Sequence, residues 1–135
     1  MGNPQHLDWL LEGVEAWYAR RELDAFIPDL SGMDIRAAFE NSRKLEEGRI
    51  PLAGVNLGRA ELRGAGLWGA HLARANLRET KLGGADLRTA DLAEAKLEGA
   101  KLWKAKLGEA NLREAYLWGA DLGGARLGGA DVRTV

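Results

Sequence analysis

Apolar and polar residues follow a strict period of five over most of the chain, from Ile50 to Thr134. This stretch divides into 17 consecutive units, in which the third residue is Leu 16 times and Val132 once. The first residue is Ala in 14 units, and the second is usually polar. Such a repeat has to be interpreted before secondary structure, because one repeat unit rarely buries its apolar face alone.

A period of five matches neither regular secondary structure. On an α-helix, five residues turn the chain by about 500°, which would scatter the Leu side chains around the axis. On one straight strand, successive Leu side chains would point to opposite faces. A bend in every unit lets the first and third residues point inward and the second outward, while the last two, often Gly, form the corner. The pattern predicts a solenoid with an apolar axis and a charged surface, and the spacing alone leaves a three-sided or four-sided coil open.

Units such as ANLRE, ADLRT and ADLGG resemble the A(D/N)LXX motif of the pentapeptide-repeat proteins. The resemblance covers residues 50–134 and is highly specific, because no unit falls out of register. It implies an all-β solenoid, namely a right-handed quadrilateral β-helix with four units in each coil. For function, it implies a DNA mimic that, as in some members, modulates a type II topoisomerase such as DNA gyrase; the alternative is an interaction or scaffold module that displays side chains on the flat faces of a rigid rod.

The beginning of the chain lacks the repeat and carries helix signals instead. Asn3 followed by Pro4 is typical of a helix N-terminus. Apolar residues from Leu7 to Tyr18 then recur at spacings of three and four, which predicts one helix through about residue 22.

Two irregular units at residues 28–37 have Leu30 and Ile35 at their centres, and 12 extra residues separate them from the regular repeats. The inserted residues predict a short helix that ends at Gly48. We therefore expect residues 1–49 to form a helical cap on a β-helix of residues 50–135, because exposed repeat ends favour unwanted association. A partner-binding role for the first helix is the alternative.

The composition offers little catalytic chemistry. The 135 residues carry a formal net charge of −1, no Cys, two His and two Ser. The chain therefore has no disulfide, no thiol nucleophile and no visible nucleophile–base pair, which predicts a protein without enzymatic activity or cofactor. It also lacks a signal peptide and a long apolar run, so we expect a cytoplasmic protein that does not enter a membrane.

One column of polar residues contains metal-ligand atoms. In a four-sided coil, His71, Asp91, Asn111 and Asp131 would line up on one outer face. These residue types can bind a metal ion. However, the second position is polar throughout, and a flat face does not make its ligands converge. A solvated surface is therefore the preferred interpretation, and no metal is predicted.

Aromatic residues at exposed positions form the candidate site. Trp68, Trp103 and Trp118 take fourth positions near corners, and Tyr116 takes a second position. Exposed Trp and Tyr beside Lys are typical of binding surfaces, although packing over neighbouring Lys and Arg stems is the alternative. The candidate partner-binding patch contains Lys81, Lys101, Trp103, Lys104, Tyr116 and Trp118.

Charge distinguishes the functional alternatives. The repeats at residues 50–134 contain 13 Lys and Arg against 10 Asp and Glu, so their net charge is +3. A DNA mimic needs a strongly anionic rod, and none of the four faces forms such a track. The near-neutral chain also makes a nucleic-acid partner unlikely. The sequence favours a protein-interaction or scaffold module whose partner is unknown.

The last repeat predicts a contact with a second copy of the chain. Val132 and Val135 take inward positions in the final coil, and no further residue of this sequence covers them. An uncovered edge favours pairing with another edge, and the simplest closed arrangement is a two-fold dimer through the C-terminal coils. A monomer with a frayed last coil is the alternative.

Overall fold

The computed structural model describes residues 1–134, which form three helices followed by stacked coils. The helices are α1 (Pro4–Leu11), α2 (Val14–Leu23) and α3 (Ile35–Asn41). Within the described residues, no helix is both long enough and apolar enough to cross a bilayer.

Residues 20 positions apart pair through parallel β-bridges along the whole repeat, for example His71 with Asp91 and Lys81 with Lys101. This offset corresponds to four five-residue units in each coil. The bridges of residues 1–134 are single pairs, and the short strand expected in each unit does not extend beyond one residue. The reason is that the chain turns after every third residue, which leaves only the second residue paired with both neighbouring coils.

Each unit ends in a tight turn whose fifth residue has a positive φ, whether it is Gly or not. The values are 71° at Gly54, 63° at Arg59 and 58° at Thr89. Across such a turn, the backbone N–H of Ala60 donates to the C=O of Leu57 at 3.0 Å. The left-handed residue lets the chain change direction so that the next Leu faces the same interior.

The core is a stack of Leu and Ala along the axis. The central Leu residues from Leu52 to Leu112 are essentially inaccessible to solvent. Thr80 replaces Ala in one unit, and its buried hydroxyl donates to the C=O of Leu77 at 2.7 Å, which satisfies the polar group. Exposure increases in the last coil, where Leu127 is 37% and Val132 44% exposed.

The N-terminal segment forms two helices, not the single helix predicted through about residue 22. The Asn3 side chain accepts from the backbone N–H of Gln5 at 2.9 Å and caps α1. Gly13 then separates α1 from α2 with a φ of 109°, which helical backbone does not allow. Tyr18, placed on the apolar face by its spacing, is exposed because the break reorients α2.

The inserted helix also differs from its prediction. It starts at Ile35, where the Asp34 carboxylate accepts from the N–H of Ala37 at 2.9 Å, and it ends at Asn41 instead of Gly48. Gly48 belongs to a tight turn, closed by an antiparallel bridge between Glu46 and Arg49. The helix stops early because the chain has to return to the solenoid at Ile50.

Helix α2 contacts the solenoid through buried and polar groups. The fully buried Trp17 donates from Nε1 to the C=O of Asn56 at 2.7 Å. Arg21 donates to the same oxygen at 3.0 Å and to the C=O of Gly58 at 3.1 Å. These bonds satisfy carbonyls of the coil that would otherwise face the helices unpaired.

Candidate functional site

The Trp103 pocket is a concavity of about 290 Å³ on one face of the solenoid. It is lined by Arg63, Lys81, Gly83, Lys101, Trp103 and Asp121. Trp103 is 57% exposed.

Two glycines position the indole of Trp103. A Cβ added to Gly123, one coil further on, would lie 3.0 Å from Cδ1 of Trp103, so the ring packs directly on this residue. Gly83, one coil before Trp103, leaves a cleft, where an added Cβ would meet the Trp103 C=O at 3.5 Å and Cγ and Cδ of Arg63 at 3.6 and 3.9 Å. The indole is therefore supported on one side, and the cleft next to Trp103 is open.

The cations around this cleft differ in their partners. Arg63 donates to both carboxylate oxygens of Glu61, at 2.7 and 2.8 Å, and this pairing raises the pKa of Arg63. Lys104 places its Nζ 4.9 Å from the Trp103 ring centroid. Lys81 and Lys101 are exposed, and within residues 1–134 neither has a carboxylate in ion-pair distance.

Tyr116 and Trp118 lie in a second concavity, around the corner from the Trp103 pocket. It has a volume of about 630 Å³ and is lined by Glu98, Glu114, Ala115, Tyr116, Leu117, Trp118 and Thr134. Its charged residues are acidic, and one buried carboxylate oxygen of Glu98 has no hydrogen-bond partner within the described residues. The structure thus divides the six candidate residues between a basic and an acidic environment.

Trp68 has a different neighbourhood from the other two Trp residues of the repeats. The guanidinium of Arg36, on α3, lies 3.9 Å from its ring centroid. Arg36 is buried and also donates to the C=O of Gly48 at 2.8 Å. This cation–π contact joins the inserted helix to the solenoid.

Sequence reasoning missed several lining residues. Arg63, Gly83 and Asp121 shape the Trp103 pocket, and Glu98 and Glu114 give the other concavity its charge. The available signal was the register, because residues 20 positions apart share a column. This register places Arg63 and Gly83 in the column of Trp103, Asp121 in the column of Lys101, and Glu98 in the column of Trp118.

The polar column does not converge on a metal ion. His71 Nε2 lies 3.8 Å from the Asp91 carboxylate, and the Asn111 side-chain amide donates to Asp91 at 3.3 Å. Asp131 accepts two bonds from Arg133, at 2.6 and 2.9 Å, and this pairing lowers its pKa to about 2. Across the described part of the chain, no three His, Asp or Glu residues are placed to hold a metal.

Of the two residues of the predicted dimer contact, Val132 is exposed in the last described coil, which also carries the exposed Leu127. Val135 lies outside the described residues.

The geometry defines a class of protein: a solenoid built from five-residue units with a Leu core and turns at every unit. The chain belongs to the pentapeptide repeat family, whose model matches it in eight copies at residues 56–92, 70–107 and 90–133. A search of curated proteins finds no match.

Solved structures of similar proteins carry the same type of repeat. A pentapeptide repeat protein from the cyanobacterium Cyanothece 51142 is 40% identical, with a TM-score of 0.46 over 57% of this chain and 59% of that one. Another from Nostoc Pcc 7120 is 38% identical, with a TM-score of 0.35 over 62% of this chain and 72% of that one. QnrB1, a plasmid-mediated fluoroquinolone resistance protein, is 19% identical, with a TM-score of 0.47 over 62% of this chain and 59% of that one. This chain thus spans 59% of the length of the first and the last of these.

Proposed function

We propose that this protein is a non-enzymatic interaction module that presents the Trp103 pocket and the neighbouring Tyr116–Trp118 surface to a protein partner. In this proposal the coils form a right-handed quadrilateral β-helix, and residues 1–49 are its helical cap. The contacts of Trp17 and Arg21 with the backbone at Asn56 and Gly58 support the cap.

The observation that carries the proposal is an exposed indole beside two unpaired ammonium groups on a rigid surface. Trp103 is mostly exposed although its ring is held in place on Gly123. Backbone hydrogen bonds join this coil to both neighbours, as from Leu102 N–H to the C=O of Asp121 at 2.7 Å. A surface that is ordered before binding loses little conformational entropy on association, and Trp residues often dominate binding energy.

Two of the side chains that could support catalysis are already hydrogen-bonded, which favours a non-enzymatic role. Ser31 donates from Oγ to the Asp29 carboxylate at 2.8 Å, and this bond lowers the pKa of Asp29, so the carboxylate is a weak base for activating the hydroxyl. His6 accepts at Nδ1 from the backbone N–H of Asp29 at 3.0 Å.

Affinity capture from the native cells tests the interaction. We expect Trp103→Ala combined with Trp118→Ala to abolish capture of a specific protein while leaving the unfolding midpoint nearly unchanged, because both rings are exposed. Arg126→Ala, an exposed cation on a different face, is the matched control and should retain capture. Retained binding by the double variant, or large destabilisation without any captured protein, would favour a packing role for the two rings.

We also propose a homodimer through the coil that carries Leu127 and Val132. Both residues take core positions yet are exposed, and within residues 1–134 no coil stacks on this one. Burying apolar side chains and pairing free backbone groups would stabilise the contact, although one coil offers only a small interface. Sedimentation should detect a dimer that Val132→Glu dissociates, and a wild type that stays monomeric at high concentration would rule the dimer out.

A further inference from the structure

We propose that the Trp103 pocket binds an extended peptide segment of a partner protein in which a carboxylate side chain lies next to an aromatic or aliphatic one. This inference rests on the proposed interaction role and adds the chemistry of the partner. The pocket has two halves, which lie on the same face of the solenoid. One is a pair of free ammonium groups, and the other is an apolar cleft.

The order of charges along this face selects a single carboxylate. The second-position column reads Glu61, Lys81, Lys101 and Asp121, with neighbouring residues bridged coil to coil. Adjacent bridged residues lie about 4.8 Å apart, so one carboxylate can contact both ammonium groups. A nucleic-acid strand along the same column would bring its repeated phosphates against Glu61 or Asp121, because carboxylates end the basic stretch on both sides.

The other charged groups at this face are already bonded. The bidentate pair with Glu61 occupies Arg63, and the Asp121 carboxylate accepts from the backbone N–H of Gly123 at 2.9 Å. Among the residues that line the pocket, Lys81 and Lys101 are therefore the cations left for a ligand, and Lys104 lies outside the lining with its Nζ over the Trp103 ring. Exposed ion pairs contribute little by themselves, so recognition also requires the apolar half of the site.

The apolar half is the cleft above Gly83. Trp103, whose backbone C=O lies next to Gly83, and the aliphatic stem of Arg63 line it, and the pocket volume of about 290 Å³ suits one side chain better than a cofactor. The φ of Gly83 is not positive, and an added Cβ would meet nothing closer than 3.5 Å. Larger residues therefore fit the backbone here, and Gly leaves the cleft open.

The neighbouring concavity supplies an internal contrast. Tyr116 and Trp118 are as aromatic as Trp103, but the charged residues that line their concavity are Glu98, which pairs with Arg78 at 3.4 Å, and Glu114, and no Lys or Arg of the lining attracts an acidic peptide. An acidic segment should therefore depend on Trp103 and not on Trp118. If the surface bound peptides through its aromatic side chains alone, without charge selectivity, binding would depend on both Trp103 and Trp118.

Selection from a phage-displayed library of random peptides tests the inference with the full chain. We expect the wild type to enrich peptides that carry Asp or Glu next to Phe, Trp, Leu or Ile. A synthetic enriched peptide should lose about tenfold or more in affinity for Lys81→Gln combined with Lys101→Gln, and its binding should weaken with salt. Lys96→Gln combined with Lys106→Gln, which removes two lysines from other faces, is the matched control.

Closing the cleft is the second measurement, and it does not depend on charge. Gly83→Val should abolish peptide binding without lowering the unfolding midpoint. Gly108→Val, at the equivalent position of another face with its nearest atom at 3.7 Å, should leave binding unchanged.

Three results would overturn the inference: no enrichment, enrichment of peptides without a carboxylate, or tighter binding of single-stranded oligothymidine than of the peptide. If cellular capture still requires Trp103 and Trp118 after such a result, the interaction role stands and only the acidic segment is wrong. If capture is also insensitive to both residues, the interaction role itself fails.

Discussion

At the residue scale, position within the five-residue unit decides burial, and position along the rod modifies it. Leu97 and Leu127 take the same third position, yet Leu97 is fully buried and Leu127 is 37% exposed. The difference arises because Leu97 has a coil on each side, whereas Leu127 lies in the last described coil.

Truncation of the two leucines should have unequal costs. Leu97→Ala should lower the free energy of unfolding by about 2–5 kcal/mol, because it leaves a cavity between stacked coils. Leu127→Ala should cost clearly less, since its side chain already contacts solvent. Chemical denaturation of both variants measures the difference, and equal costs would contradict the stacking of the core.

Two glycines at the fifth position provide another matched pair. Gly69 and Gly84 have φ values of 69° and 67°, so Ala at either position adds the strain of a left-handed conformation, about 1 kcal/mol. At Gly69 the new Cβ would also lie 3.1 Å from Nη1 of Arg36, whereas at Gly84 it meets nothing within 4 Å.

Gly69→Ala should therefore destabilise the protein more than Gly84→Ala, because it displaces Arg36 from Trp68 and from the Gly48 C=O. Thermal unfolding of the two variants provides the comparison. A Gly84→Ala variant that is as unstable as Gly69→Ala would show that the Arg36 contact contributes nothing to stability.

At the scale of elements, a few polar contacts hold the N-terminal helices against neighbouring segments. Nδ1 of His6, on α1, accepts from the backbone N–H of Asp29, and its ring packs 4.9 Å from Phe26 between centroids. Burial lowers the pKa of His6 from its ordinary value of 6.5, with partial opposition from the negative charge of Asp29. The bond requires a neutral Nδ1.

Stability should therefore depend on the protonation of His6. Because the folded-state pKa is lowered, the unfolded chain binds the proton more readily, so this contribution is complete above about pH 6.5 and decreases as the pH falls toward the folded-state pKa. Unfolding midpoints measured from neutral pH to about pH 5 should fall for the wild type. His6→Gln should remove most of this decrease. A His6→Gln variant with the wild-type profile would assign the dependence to other groups.

At the scale of the whole molecule, charge is spread over the rod without a dominant sign. The repeats carry a net charge of +3, and most Asp and Glu residues lie close to Arg or Lys, as in the bond of 2.7 Å between Asp86 and Arg88. The resulting surface does not reproduce the continuous negative potential of a DNA backbone.

This charge distribution predicts no effect on DNA gyrase. In a supercoiling assay, the protein should leave activity unchanged at concentrations comparable to that of the enzyme. A variant with Lys81→Glu and Lys101→Glu is a useful comparison, because it makes one face acidic on the same fold. Inhibition by the wild type at low concentration would restore the DNA-mimic interpretation.

The sequence determined the solenoid, because the Ala and Leu side chains buried in the repeats recur at one spacing. The Leu at the third position of the units can be buried in a common interior only if the chain turns in every unit. The five-residue period therefore predicts both the turns and the buried positions. Local signals also place the start of α1 at Asn3 and Pro4. The later helix boundaries were not predicted: Gly13 breaks the first helix through its own positive φ, and α3 ends where the chain has to return to the solenoid at Ile50.

The tertiary structure decided which side chains from neighbouring coils stack next to the exposed aromatic residues. Spacing places Trp103 and Trp118 at equivalent positions, but part of their surroundings comes from coils 20 residues away. Stacking adds Lys81 and the cleft over Gly83 to Trp103, which already has Lys101 in its own unit, and it adds Glu98 to Trp118. The physical reason is that inward residues obey a rule repeated in every unit, whereas an outward residue depends on the particular side chains stacked above and below it.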